Sequence, residues 1–157
     1  MNLITFDNII KDPLSYVSDI HLHGFQDVAD GKYTFKNIQP RDTNDEFAKY
    51  CSELFSGYKV ALNFIRKSPL NQEEPNFIHT DEMMGDITCL LYLNEQAPED
   101  DGTTIYDEEN KPLLTMYSKF NRMIAFSSDA PHSRNIFDNF GEALTARLVQ
   151  VIFLKAK

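Results

Sequence analysis

The sequence predicts an α+β domain in which helices near the N-terminus buttress a β-sandwich or jelly roll. Three observations lead there. Helical spacing of apolar residues is confined to the first third of the chain, short β-rich runs fill the rest, and no linker, repeat or low-complexity tract separates the two. A chain of 157 residues has the size of one domain, with room for one sizeable core that needs no disulfide or structural-metal staples.

The reading divides the chain into a helical buttress over residues 1–57 and a β-core over 58–157. The buttress begins with a strand-like LITF at Leu3–Phe6. A helix is expected to open at Asp12-Pro13, because proline in a first turn has no hydrogen bond to lose. A second helix follows in DEFAKYCSELF, with Thr43 or Asn44 as its cap and Gly57 at its end. Its Phe47, Tyr50, Cys51, Leu54 and Phe55 fall on one face.

From Tyr58 the period changes to that of strands. The runs YKVALNFIR, DITCLLYLN, TTIYD, LLTMY, RMIAFSS, SRNIF and TARLVQVIFL follow one another, separated by Gly, Pro, Asn and Asp clusters. The polar DEENKP, Asp107–Pro112, is expected as an exposed hairpin turn.

Composition narrows the function classes. The chain carries 15 Lys+Arg against 24 Asp+Glu, a formal charge of -9, and no clustered basic patch, so nucleic acid is not expected as a partner. No apolar run approaches the roughly 18 residues of a membrane span. The start MNLITFDNIIKD lacks a basic stretch followed by an apolar one, and Cys51 and Cys89 form no CxxC, so a reduced cytoplasmic setting is the expectation. Cys51 is expected on a buried helix face. Cys89 is expected packed on the strand face opposite Tyr92.

Four histidines are available for chemistry. His79 and Asp81 in FIHTD share a face if that segment is extended, and His132 in APHSR can join them from a facing strand. Two imidazoles and one carboxylate on one face of an octahedron form the ligand set of non-haem Fe(II) oxygenases. The pair alone does not decide the matter: chance supplies roughly 0.4 His-x-Asp matches in such a composition, and a strand-end hydrogen bond between His79 and Asp81 reads equally well. His21 and His23 in HLHGF make a second pair, in the helical part with no third ligand near, and read as structural.

The context of the pair resembles a known family. The stretch from His79 to Leu154 is similar to the catalytic core of the 2-oxoglutarate and Fe(II)-dependent dioxygenases, in the prolyl-hydroxylase-like branch. After His79-x-Asp81 comes GDITCLLYLN, resembling the family strand ending in Tyr-Leu-Asn; then DDGTTIYD with Gly102 at a family glycine. FNRMIAFSSDAPHS follows, resembling the strand that runs into the distal histidine, here His132, and then TARLVQVIFL with Arg147 at its start. Asp101 departs from the pattern, standing where many members have a first glycine.

The resemblance implies a double-stranded β-helix, or jelly-roll, core and a hydroxylase of a protein residue or small molecule that releases succinate and CO2. It implies Fe(II) on His79, Asp81 and His132, 2-oxoglutarate and O2 as cosubstrates, and ascorbate as an accessory reductant. It gives the distal carboxylate of 2-oxoglutarate to Arg147, assisted by the Tyr92 hydroxyl. The interval between His132 and Arg147 is longer than usual, which makes NIFDNFGEA an expected loop near the mouth of the site and leaves Arg134 as a competitor for that carboxylate. Arg147 is preferred because it leads an apolar strand, where its guanidinium can meet a carboxylate bidentately.

Further pocket residues follow from alternation. Asn63 and Arg66 lie out of phase on one strand, so one of them can face the pocket, with an exposed strand arginine the plainer reading of Arg66; Thr88 and Leu90 share the face of Tyr92. The chain is short for an added peptide-recognition domain, which makes a compact substrate or an exposed loop of a partner protein the expectation. Two other readings remain: a metal-binding β-helix module without turnover, and an interaction protein in which the His-x-Asp is coincidental.

Overall fold

A computed structural model describes residues 3–136 and 138–157. In chain order the elements are β1 (Ile4–Phe6), α1 (Pro13–Leu22), β2 (Gln26–Asp30), β3 (Tyr33–Pro40), α2 (Glu46–Leu54), β4 (Tyr58–Ser68) and β5 (Ile87–Tyr92). They continue with β6 (Gly102–Tyr106), β7 (Pro112–Tyr117), β8 (Arg122–Ser127), β9 (His132–Arg134), a 3-10 turn (Ala143–Thr145) and β10 (Arg147–Ala156). Two sheets form: a seven-stranded one in the order β1-β8-β5-β10-β4-β3-β2, and a three-stranded one in the order β7-β6-β9. This is the α+β class with a jelly-roll core.

Both predicted helices form for the expected local reasons. Pro13 opens α1, and the Asp12 carboxylate caps it by accepting from the Ser15 N–H at 3.2 Å. In α2 the cap is Asp45, one residue beyond the expected Thr43 or Asn44, with its carboxylate accepting from the Ala48 N–H at 2.9 Å. That carboxylate also meets the Tyr16 hydroxyl, Arg41 and Gln150, so tertiary partners select it over its neighbours.

Strand β10 is the axis of the large sheet, antiparallel to β5 on one side and β4 on the other. Its residues alternate between two clusters. Leu148, Ile152 and Leu154 join Ile65, Cys89, Leu91, Met123 and Ala125 against Ile20, Phe47, Ala48 and Cys51 of the helices. Val149 and Val151 point the other way, with Tyr92, Leu90, Ile124 and Phe126, against Ile105 and Met116 of the small sheet. The helices therefore cover one face of the large sheet while the small sheet covers the other, and the functional interior lies between the sheets.

One expectation about the first 57 residues does not hold. They are not only helical: β2 and β3 form a hairpin that pairs through β3 with β4 and extends the large sheet. The loop Gly31–Lys32 makes the turn, with Gly31 at φ 61°, a conformation that glycine adopts without a Cβ clash.

Candidate metal centre

His79 and His132 are placed by a small antiparallel bridge. The His79 N–H donates to the His132 carbonyl at 3.0 Å and the His132 N–H to the His79 carbonyl at 2.9 Å, which adds His79 to the edge of the small sheet. Two residues on, the Asp81 N–H donates to the Ser128 carbonyl at 2.8 Å, tying the acidic ligand to the end of β8.

Each imidazole is oriented through its far nitrogen. Nδ1 of His79 lies 2.8 Å from the Phe77 carbonyl, and Nδ1 of His132 lies 2.9 Å from the Ala130 carbonyl. With Nδ1–H donating in both cases, each Nε2 is left as a lone pair for a metal. Both Nε2 atoms face Asp81, at 3.5 Å from Oδ1 for His79 and 3.0 Å from Oδ2 for His132. The three donor atoms lie within 4.8 Å of one another. A divalent ion with bonds of about 2.0–2.2 Å fits between such donors, and a two-imidazole, one-carboxylate set on one side of an ion suits non-haem Fe(II). The Phe126 ring, with its centroid 4.8 Å from that of His132, packs against the buried ligand from the core side.

Beside this centre a cleft of about 480 Å³ opens. Its walls come from Val28, Tyr33 and Phe35 of the hairpin, Phe64 and Arg66 of β4, Phe77 and Met84 around the ligand loop, and Phe153 of β10. It is a mainly apolar chamber with His79 and Asp81 on one wall, of a size suited to small-molecule binding.

Deeper between the sheets the interior is charged. The Arg147 Nε donates to Asp101 Oδ1 at 3.1 Å, and both side chains are buried. The Arg134 Nη1 donates to Glu74 Oε1 at 2.8 Å and to Asn139 Oδ1 at 2.7 Å. Burial, reinforced by the positive Arg147, pulls the Arg134 pKa down to about 10. The Tyr92 hydroxyl shares a 2.7 Å hydrogen bond with Thr103 Oγ1, and burial raises its pKa to about 12, so it remains neutral.

The structure thus brings His79, Asp81 and His132 together and puts Tyr92, Leu90, Thr88, Arg134, Arg147 and Arg66 in the inter-sheet interior or its cleft. Thr88 packs beneath the centre, where its hydroxyl shares a 2.9 Å hydrogen bond with Ser128. Asn63 is a correction. It lies on the helix-covered face, accepting from Gln150 Nε2 at 2.8 Å and donating to the Asp42 carbonyl at 2.7 Å, and does not reach the pocket. Its out-of-phase neighbour Arg66, expected as an exposed strand arginine, instead faces inward and lines the cleft.

The NIFDNFGEA loop also sits elsewhere than expected. Phe137 within it lies outside the described residues, but Asn139 packs beside Arg134 and donates to the Gln72 carbonyl, at the arginine end and not at the cleft mouth. Sequence reasoning missed Glu74 and the hairpin wall. The Asp30-Gly31 pair was a turn signal for the hairpin; nothing local marks Glu74 as the partner of Arg134.

No protein-family model matches the chain. Solved structures do. A prolyl hydroxylase from Trichoplax adhaerens, in complex with a hypoxia inducible factor oxygen degradation domain peptide, superposes with a TM-score of 0.64 at 16% identity, over 97% of this chain and 82% of that one. A prolyl-4-hydroxylase from Pseudomonas putida gives 0.60 at 14% identity, over 96% and 91%. The epimerase SnoN, in complex with Fe3+, alpha ketoglutarate and nogalamycin RO, gives 0.59 at 13% identity, over 97% and 78%. The fold is that of the 2-oxoglutarate/Fe(II) oxygenases. Within that fold, the prolyl hydroxylases are among the structures it resembles.

Proposed function

We propose that this chain is an Fe(II)- and 2-oxoglutarate-dependent oxygenase that hydroxylates a C–H bond of a small molecule or an exposed protein residue, prolyl residues included, yielding succinate and CO2. The observation that carries the reading is the convergence of the His79 and His132 Nε2 atoms and the Asp81 carboxylate beside an open cleft, on a fold shared with such oxygenases.

Charge supports the cosubstrate assignment. Arg66, Arg134 and Arg147 face the interior against Glu74 and Asp101, which leaves one positive charge unbalanced. A divalent ion on Asp81 and two neutral imidazoles leaves a second. A dianion balances both, and 2-oxoglutarate is a dianion with a metal-chelating end.

When bound, the iron, oxoacid and O2 supply the C–H oxidation. The protein's part is to hold and exclude. The Phe77 and Ala130 carbonyls fix the tautomers of His79 and His132, so both ligands present lone pairs without rearrangement. Apolar walls from Tyr33, Phe35, Phe64 and Phe153 keep water from the reacting end and receive an apolar part of the substrate. The neutral Tyr92 hydroxyl and Thr103 close the inner end. A reducing cytoplasm suits an Fe(II) site and two free buried thiols.

Anaerobic titration with Fe(II) and then 2-oxoglutarate, followed by the visible metal-to-ligand charge-transfer absorption, tests the reading. Absence of that absorption in the intact chain refutes it. The absorption without succinate formation on any substrate turns the reading into a metal-binding module without turnover.

A further inference from the structure

Two guanidinium groups in the inter-sheet interior are each held by one edge. Asp101 takes only the Nε of Arg147, at 3.1 Å, and neither Nη of Arg147 has a hydrogen-bond partner among the described residues. Arg134 is held the opposite way. Its Nη1 donates to Glu74 Oε1 at 2.8 Å and to Asn139 Oδ1 at 2.7 Å, its Nη2 reaches the Asp138 carbonyl at 3.4 Å, and its Nε is buried with no partner among the described residues. A buried donor on a charged group is costly without an acceptor, so this N–H marks a place where an acceptor is stabilising.

Register brings the two groups together. Arg134 lies opposite Thr103 of β6, and the Thr103 hydroxyl shares the 2.7 Å hydrogen bond with Tyr92; Asp101, two residues before Thr103, carries Arg147. After burial, the charge of Arg147 is the strongest influence lowering the Arg134 pKa, as expected of neighbouring cations. Glu74 and Asp101 offset them one for one, and Arg66 adds a third positive charge to the same field. That surplus favours an anion beside both arginines.

We propose that Arg134 joins Arg147 at the distal carboxylate of 2-oxoglutarate, so that β9 and β10 each supply one cation to it. This rests on the oxygenase reading. It keeps Arg147 at the position that the family resemblance implies and makes Arg134 a second donor instead of a competitor. The free Nη1 and Nη2 edge of Arg147 matches the two oxygens of a carboxylate, and Arg134 Nε meets one of them from the side. Asp101, the departure from the family glycine, is then a positioning residue: it grips Nε alone and leaves the outer edge of Arg147 open. Glu74 and Asn139 position Arg134 in the same way, through Nη1. Strand β9, three residues long, carries both ends of the arrangement. His132 and Arg134 leave its same face about 7 Å apart, so one short strand sets a metal ligand against an anchor for the far end of the same dicarboxylate.

Calorimetric titration of the anaerobic Fe(II)-loaded chain tests this with two probes. One is 2-oxoglutarate; the other is 2-oxopentanoate, which keeps the chelating end and lacks the distal carboxylate. Arg134→Gln is expected to weaken 2-oxoglutarate by about ten- to a hundredfold, the loss of a charge-assisted hydrogen bond, and to leave 2-oxopentanoate and Fe(II) binding unchanged. Arg134→Lys is expected to recover part of the loss, since it restores the charge without the fork. Because Arg134→Gln strands the Glu74 carboxylate, the double variant Glu74→Gln/Arg134→Gln is measured beside it and is expected to show the same selective loss. Wild-type affinity for 2-oxoglutarate in the single or the double variant overturns the assignment and leaves Arg147 as the only cation on that carboxylate. Equal loss of both probes overturns it as well, because Arg134 then supports the site as a whole. A wild-type chain that binds Fe(II) and holds the two acids equally well also overturns it, whereas one that binds neither Fe(II) nor either acid refutes the oxygenase reading itself.

Discussion

Asp101 and Arg147 join the two sheets through a buried ion pair: Asp101 precedes the first residue of β6 in the small sheet, and Arg147 begins β10 in the large one. Removing one partner strands the other charge in a dry interior. Arg147→Met is expected to lower stability by about 3–5 kcal/mol, measured as a shift in urea midpoint at constant slope. The double variant Asp101→Asn/Arg147→Met is expected to lose less than the sum of the single variants, since it leaves no stranded charge. Additive losses refute the pairing.

The metal centre predicts its own stabilisation. Asp81 faces both imidazoles, and an ion that binds only the folded chain raises the melting temperature by mass action. At metal concentrations 100-fold above Kd the gain is about 2.7 kcal/mol. Thermal scans with Fe(II), or with Mn(II) as an air-stable substitute, are expected to show this rise in the wild type. It should be absent in Asp81→Ala and His132→Ala.

Acid stability has a local contributor at β1. Arg122 holds the Asp7 carboxylate through bonds at 2.6 and 3.1 Å, with Lys119 beside it, and this holds the Asp7 pKa below its ordinary value of 3.8. A depressed carboxylate stabilises the fold fully above its unfolded pKa, and the gain disappears as pH falls through the lower folded value. Asp7→Asn is therefore expected to be less stable than wild type at neutral pH, within about 1 kcal/mol for a partly exposed pair. The two should converge below pH 3.8. A gap that persists in acid assigns the effect to something other than this charge.

Gly102 opens β6 at φ 152°, and a Cβ there runs into the Met116 carbonyl oxygen and meets Tyr117 Cα at 2.9 Å. Neither neighbour is a flexible side-chain end. Gly102→Ala is expected to destabilise the chain by more than about 2 kcal/mol and to separate β6 from β7, with loss of amide protection along the Gly102–Tyr117 pairing. An alanine variant with wild-type melting temperature refutes that close approach.

Much of this architecture was legible in the chain because strands β4 to β10 announce themselves as short β-rich runs between turn residues, and α2 by its buried Phe47, Ala48 and Cys51. The hairpin was harder to read. All five residues of β2 are exposed, so QDVAD carries no apolar alternation, and only the Asp30-Gly31 turn hinted at it. The convergence of His79, Asp81 and His132 was legible from local spacing and ordered context. The partners of the arginines were not, since Asp101 is 46 residues from Arg147 and Glu74 is 60 from Arg134. Asn63 misled for a related reason: a polar residue on a strand suggests the pocket, yet here it serves a network with Gln150, Asp45 and Tyr16 beneath the helices. Alternation gives the phase of a strand, but which phase the helices cover is decided by distant parts of the chain.

The hairpin stands at the outer edge of the seven-stranded sheet, its outer strand β2 three places from the strand that carries Arg147, whereas His79 and His132 are held by the bridge at β9 of the small sheet. Its tip can lengthen, shorten or change residues at Val28 and Tyr33 without shifting the register of β4 against β10. The shape of the cleft wall and the backbone that positions His79, Asp81 and His132 are therefore mechanically separable. An exchange of hairpins between proteins of this fold is a route to a reshaped cleft that leaves the backbone holding His79, Asp81 and His132 in place.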